Sequence, residues 1–107
     1  MSRQIPDFKR WNGVGQGSVS VDDTAGGTII VPELNGGQGY SYMLARNVGS
    51  ETAYVVVGDT LTPTYGQGIE VRAGEWFQGD DRGMPTGTIR AICDTGLSTT
   101  FSYFLGD

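Results

Sequence analysis

The sequence predicts an all-β protein: a single β-sandwich or jelly-roll-like domain of about eight short antiparallel strands, with an extended N-terminal arm. Three observations predict it. Eighteen of the 107 residues are glycine, and they punctuate short runs of Val, Ile, Thr, Tyr and Phe. Glycine supplies the positive-φ positions of tight turns and is costly inside helices, whereas β-branched and aromatic residues suit a pleated surface. The runs alternate in polarity and recur roughly every 8–12 residues, the spacing of a sandwich or barrel. No window holds an amphipathic helix of useful length, and no fixed-period repeat stands out.

Taken in order, the first eleven residues differ from the rest. Arg3, Lys9 and Arg10 stand against one acid, Asp7, so the segment carries +2. Residues 12–107 hold four basic and eleven acidic residues, a charge of −7. Ile5, Phe8 and Trp11 follow no period of two, and Pro6 blocks a regular ladder position. Two readings stand: a basic, semi-extended arm with apolar anchors, or a first segment that packs Phe8 and Trp11 into its own core. Gly13-Val14-Gly15-Gln16-Gly17 has the spacing of a dinucleotide loop but lacks the flanking strand and helix that such a loop requires. It reads as a glycine linker, so that residues 1–17 form arm and linker and residues 18–107 the β-domain.

Within that domain Val19 and Val21 share a face. Asp22 to Gly27 turn the chain, and Thr28-Ile29-Ile30-Val31 is an apolar run closed by Pro32. Asn35 to Gly39 form a second loop. Tyr40, Tyr42 and Leu44 alternate with Ser41, Met43 and Ala45, and Asn47 to Ser50 turn again. Glu51-Thr52-Ala53-Tyr54-Val55-Val56-Val57 is the strongest strand, and its unbroken apolar run predicts burial on both faces, or one face on a neighbouring subunit. Ile69, Val71 and Ala73 oppose Glu70 and Arg72. Ala73-Gly74-Glu75 reads as a tight turn before Trp76-Phe77. Gly79 to Gly83 form a polar loop. Ile89, Ala91 and Cys93 oppose Arg90 and Ile92, and Phe101, Tyr103 and Leu105 share one face of the last strand.

Composition narrows the function. One domain fits this length, with room for one modest core. A net charge of −5 with a single lysine, Lys9, argues against a nucleic-acid binder. No run of about 20 apolar residues suggests a membrane span, and the first residues lack the apolar core of a secretory signal. Cys93 is the sole cysteine and histidine is absent, so no base is at hand to activate the thiol, which reads as a small buried hydrophobe in a strand. Asp22-Asp23 and Asp80-Asp81 sit in glycine-rich loops without the spacing of an EF-hand, and read as solvated turn acids. No catalytic residue, cofactor or metal is expected.

The aromatics allow a binding face or a core. Tyr40, Tyr42, Tyr54, Tyr65, Trp76 and Phe77 are candidates for a sugar- or protein-binding surface. Tyr54, Phe101 and Tyr103 read as core. Tyr65, in the loop Thr62-Pro63-Thr64-Tyr65-Gly66, reads as the exposed ring, and exposed tyrosines are frequent interface anchors.

Three stretches carry a resemblance: Arg46-Asn47-Val48-Gly49-Ser50-Glu51-Thr52-Ala53-Tyr54-Val55, Val71-Arg72-Ala73-Gly74-Glu75, and Thr88-Ile89-Arg90-Ala91-Ile92-Cys93. They resemble small all-β virion proteins of tailed bacteriophages, among them capsid decoration (cement) proteins and head or tail accessory proteins. The likeness covers about the last sixty residues and transfers no catalytic residue. It implies a non-enzymatic protein of the virion, assembled in the host cytoplasm, whose partner is the major capsid protein. Exposed strand edges fit a dimer or trimer. Arg3, Ile5, Phe8, Lys9, Arg10 and Trp11 are then the candidate attachment residues, with apolar groups in a shell groove and cations on acidic shell residues. The alternative is a carbohydrate- or receptor-binding module of a phage tail or fibre.

Overall fold

The computed structural model describes residues 13–32, 41–80, 83 and 87–106. They form eight strands: β1 (Gly13–Val21), β2 (Thr28–Ile29), β3 (Tyr42–Asn47), β4 (Ala53–Val57), β5 (Ile69–Val71), β6 (Trp76–Gly79), β7 (Ile89–Cys93) and β8 (Thr99–Gly106). Two four-stranded antiparallel sheets result, in the orders β1-β8-β3-β6 and β2-β7-β4-β5. The first strand pairs with the eighth, the second with the seventh, the third with the sixth and the fourth with the fifth. That nesting is a long hairpin rolled on itself, the jelly roll. The described residues are therefore all-β, as the glycine rhythm predicts.

The strand rhythm places the core. Every second residue of β8 faces inward, so Phe101, Tyr103 and Leu105 are buried against Met43 and Ala45 of β3. From the second sheet Ala53, Val55, Val71, Ile89, Ala91 and Cys93 meet them, with Val21, Ile30 and Val31. Each large apolar side chain so buried contributes about 1.5–3 kcal/mol. The turns carry the glycine signature: among the described residues only glycines have positive φ. Gly74, at φ 86°, closes the Arg72–Glu75 turn, where Glu75 N donates to Arg72 O at 2.9 Å.

Three expectations change. Residues 13–17 are the first half of β1, paired with β8. Their glycines make room for aromatic neighbours: a Cβ on Gly13 would sit 2.7 Å from Phe104, and one on Gly17 2.8 Å from the Tyr103 hydroxyl. Cross-strand aromatic rings commonly support edge glycines in this way. Tyr54 faces outward from the second sheet and is half-buried, because β4 turns Ala53 and Val55 inward. The second face of β4 is covered by the chain's own 58–68 loop, which accounts for the apolar run. A Cβ on Gly68 would come within 2.7 Å of the Val55 carbonyl oxygen. Ile69 shares the inward direction of Val71 but lies at the edge of the sheet and is exposed, while Ala73 belongs to the turn.

Two polar side chains hold the frame. Arg90 of β7 reaches the outside of the second sheet and donates to the carbonyls of Gly26, Gly58 and Leu61, at 3.4, 3.3 and 2.5 Å. Asp59 fixes the same loop by accepting from Thr88 N and Oγ1, at 2.9 and 3.0 Å. Asn47, at the end of β3, is fully buried. Its Nδ2 donates to Glu51 O and Val71 O, at 2.7 and 2.9 Å. Its Oδ1 accepts from Gly49 N and Thr99 Oγ1, at 3.1 and 2.7 Å. All four hydrogen-bonding positions of the amide are used.

Asn47→Ala takes the amide away from the Glu51 and Val71 carbonyls and the Thr99 hydroxyl, while Gly49 N keeps its bond to Thr100 O; it should lower stability by about 3–5 kcal/mol, because each group that loses its partner carries a desolvation cost. Gly49→Ala should also destabilise, by about 2 kcal/mol or more, since its Cβ would fall on Thr99 Oγ1 and the neighbouring backbone. Val48→Ala, at an exposed position, should stay within about 0.5 kcal/mol of the parent. Urea unfolding curves check all three.

Candidate binding face of the first sheet

The register of the first sheet sets its outer face in rows. Gln16 of β1, Phe104 of β8, Leu44 of β3 and Gln78 of β6 stand side by side. Ser18, Ser102, Arg46 and Trp76 form the next row. Gln16, Gly17, Ser18, Leu44, Ser102, Tyr103 and Phe104 line an open groove of about 550 Å³. Gly13, Val14, Gly15, Gln16 and Phe104 line a second depression, of about 410 Å³, towards the β1 edge. Gln16 and Phe104 line both, and Tyr42 meets the Phe104 ring edge-on at 5.9 Å between centroids.

The chemistry of this groove is amide, hydroxyl and aromatic edge. Among the described residues no carboxylate, imidazole or thiol lines it. Such a surface suits a neutral polar ligand or another protein's backbone and side chains, held by hydrogen bonds and ring contact. A third slot, of about 330 Å³, opens between β5 and β6, where Ile69, Val71, Trp76 and Phe77 lie beside Glu70 and Glu75.

Of the residues singled out in the sequence, Tyr65 is exposed as expected and meets Tyr54 edge-on, with ring centroids 4.9 Å apart. Burial and the nearby Glu70 carboxylate raise the Tyr54 phenol above its ordinary range. Phe77 packs against the core and Trp76 is half-buried opposite Arg46. Arg3, Ile5, Phe8, Lys9, Arg10 and Trp11 lie outside the described residues, as do Tyr40 and Asp81. The groove residues Gln16, Ser18, Leu44, Ser102 and Phe104 escaped sequence reasoning. Alternation marks Ser102 and Phe104 as opposite to Phe101, Tyr103 and Leu105, but their neighbours across β1 and β3 follow from register alone.

Asp22 and Asp23 cap turns. Asp22 Oδ1 accepts from Thr24 Oγ1 and Thr24 N, at 2.5 and 2.9 Å, which holds its carboxyl below the ordinary carboxylate range. Asp23 Oδ2 accepts from Gly96 N at 3.0 Å. Asp80 is buried and its backbone exchanges hydrogen bonds with Gly83. Among the described residues no three His, Cys, Asp or Glu side chains are grouped to hold a metal ion. Cys93 is buried in β7, with Sγ 3.7 Å from Val21 O. Burial, then Glu51 and Asp22, pushes its thiol up.

No family model, curated protein or solved structure matches the chain.

Two outcomes follow from these environments. Cys93 should react with a thiol reagent only through opening of the fold, on the order of a thousandfold more slowly than in urea-unfolded protein. Comparable rates in the two states would show that the thiol is accessible. Asp59 is likewise held below the ordinary range by the Thr88 amide, then by the Thr88 hydroxyl. A depressed folded pKa favours the carboxylate in the fold. Its stabilisation is therefore complete above the unfolded value, roughly pH 4, and is lost as pH falls through the folded one. Thermal melts from pH 6 to 2 should show stability falling below roughly pH 4, with a shallower fall in Asp59→Asn.

Proposed function

We propose that the protein is a structural virion component that binds and stabilises the outer surface of a bacteriophage capsid, with the major capsid protein as its partner. The reading rests above all on the division of charge. A segment of +2, bearing Ile5, Phe8 and Trp11 with Arg3, Lys9 and Arg10, adjoins a domain of −7. The described part of that domain is a jelly roll cross-braced by Asn47 and Arg90. Such a chain can present a stiff acidic body outward while the arm supplies apolar anchors and cations to the shell. Many copies on one lattice add avidity without any new contact. Jelly rolls serve in viral capsid and lectin domains, an analogy at the level of fold.

The three stretches that resemble virion accessory proteins also meet in space. Asn47 bonds to Glu51 and Val71, Gly74 N donates to Asn47 O, and Arg46 Nε donates to Gly74 O. The third stretch, on β7, pairs along β4. Their likeness is therefore one of shared architecture, and the attachment function is assigned to the arm.

A second reading is favoured by the groove on the first sheet. Its amide, hydroxyls and aromatic edge suit a glycan, so a carbohydrate- or receptor-binding module of a tail or fibre is the alternative. Copy number separates the two, since a decoration protein occupies the head in hundreds of copies and a receptor module the tail in few.

Deletion of residues 1–11 removes no residue of a described strand, because β1 begins at Gly13. The truncated chain should fold normally and bind purified capsids at least tenfold more weakly. The full chain's binding should weaken as salt rises. Full capsid occupancy by the truncated chain would overturn the reading, and binding to a glycan array without capsid affinity would favour the alternative.

A further inference from the structure

We propose that β1 is a self-pairing edge: two copies of the chain join antiparallel along Gly13–Val21 across a two-fold axis, merging two four-stranded sheets into one of eight. The strand order leaves β1 at the end of its sheet, with β8 as its one neighbour among the described strands. The other three edges, β2, β5 and β6, are two, three and four residues long, whereas β1 has nine. Short edges are one way proteins avoid unwanted pairing, and charged residues and proline are others. β1 has neither charge nor proline in Gly-Val-Gly-Gln-Gly-Ser-Val-Ser-Val, and its register shift against β8 is confined to the start, between Gly13 and Gly15, so that residues 15–21 run regularly. From Gly13 to Ser20 its residues are exposed, except for half-buried Gly15 and Val19.

The regular stretch, residues 15–21, is a row of backbone donors and acceptors roughly 23 Å long, enough for about six interstrand hydrogen bonds. A second copy is the occupant that fits it. Antiparallel pairing of one strand with itself satisfies a two-fold axis by construction, so the edge is its own complement. The rest of the domain is acidic, and its copies repel one another. β1 is the long neutral edge along which they can approach without setting like charges face to face. The depression formed by Gly13 to Gln16 and Phe104 borders this edge, and a second strand would roof it. Gly15 and Gly17 place no side chain in the way of that approach. The pairing does not depend on the capsid reading, and it sends the two N-terminal segments out at opposite ends of the shared sheet.

Sedimentation velocity of the full chain over a wide concentration range should show a monomer–dimer equilibrium. Gln16→Glu combined with Ser18→Glu sets like charges near the axis and should weaken dimerisation at least tenfold, with an unchanged urea unfolding curve for the monomer. Cysteines introduced at Val14, Gln16, Ser18 and Ser20 report the register, because the native Cys93 is buried. Under mild oxidation, singly and in mixtures, they should cross-link in pairs whose residue numbers share a constant sum, the mark of antiparallel pairing. Tyr65→Cys should not cross-link. A full chain that stays monomeric throughout would overturn the proposal. So would a dimer indifferent to the double substitution, or one linked through position 65 and not through β1.

Discussion

One buried amide holds the two sheets in register. Asn47 ends β3 in the first sheet, yet its Nδ2 reaches Val71 on β5 of the second and the carbonyl of Glu51 just before β4. Its Oδ1 takes the Gly49 amide and the Thr99 hydroxyl at the start of β8. Even its backbone takes part, accepting from Gly74 and donating to Glu75. Apolar burial drives the sheets together but is non-directional. A fully satisfied polar group at low dielectric supplies the direction, because a shifted packing would leave its partners unpaired. Gly49 belongs to the same device: the close approach to Thr99 and Thr100 leaves no space for a Cβ.

The outer faces of the sheets are treated differently, and the candidate site follows from that asymmetry. β4 and β5 are the one consecutive pair within a single sheet, so their connecting loop folds back over the second sheet. Arg90 and Asp59 fasten it there. Tyr54 and Val56 are thereby covered by the chain's own loop. The first sheet carries the groove on its outer face, in a neutral row from Gln16 to Gln78. Among the described residues its lining is amide, hydroxyl and ring edge.

Much of this was legible in the sequence, for identifiable reasons. Period-two alternation sorts Phe101, Tyr103 and Leu105 from Ser102 and Phe104 because strand side chains alternate strictly. Turns at Gly26-Gly27, Gly74 and Gly96 show themselves because positive φ belongs to glycine. The misreadings have one cause, which is that local pattern does not name the neighbour. Gly13, Gly15 and Gly17 have the composition of a linker, and only the rings of Tyr103 and Phe104, some ninety residues away in sequence, make them strand. Tyr54 looks like core because it sits in an apolar run, and only the 58–68 loop explains that run. Asn47 reads as a turn former, which it is, but its partners at 71 and 99 are invisible to any local window.

The sequence by itself determined the class of the fold, the approximate number of strands, most turn positions and the division between a basic first segment and an acidic remainder. These depend on backbone preference and on charge, which are properties of residues and their immediate neighbours. The tertiary structure alone decided the nesting of first strand with eighth and second with seventh. It likewise decided the hub at Asn47, the row of groove residues across four strands, and the length of the open edge on β1. Those features arise from contacts between distant segments. Such contacts form only when the whole chain closes, and hydrophobic burial is large enough to close it only then.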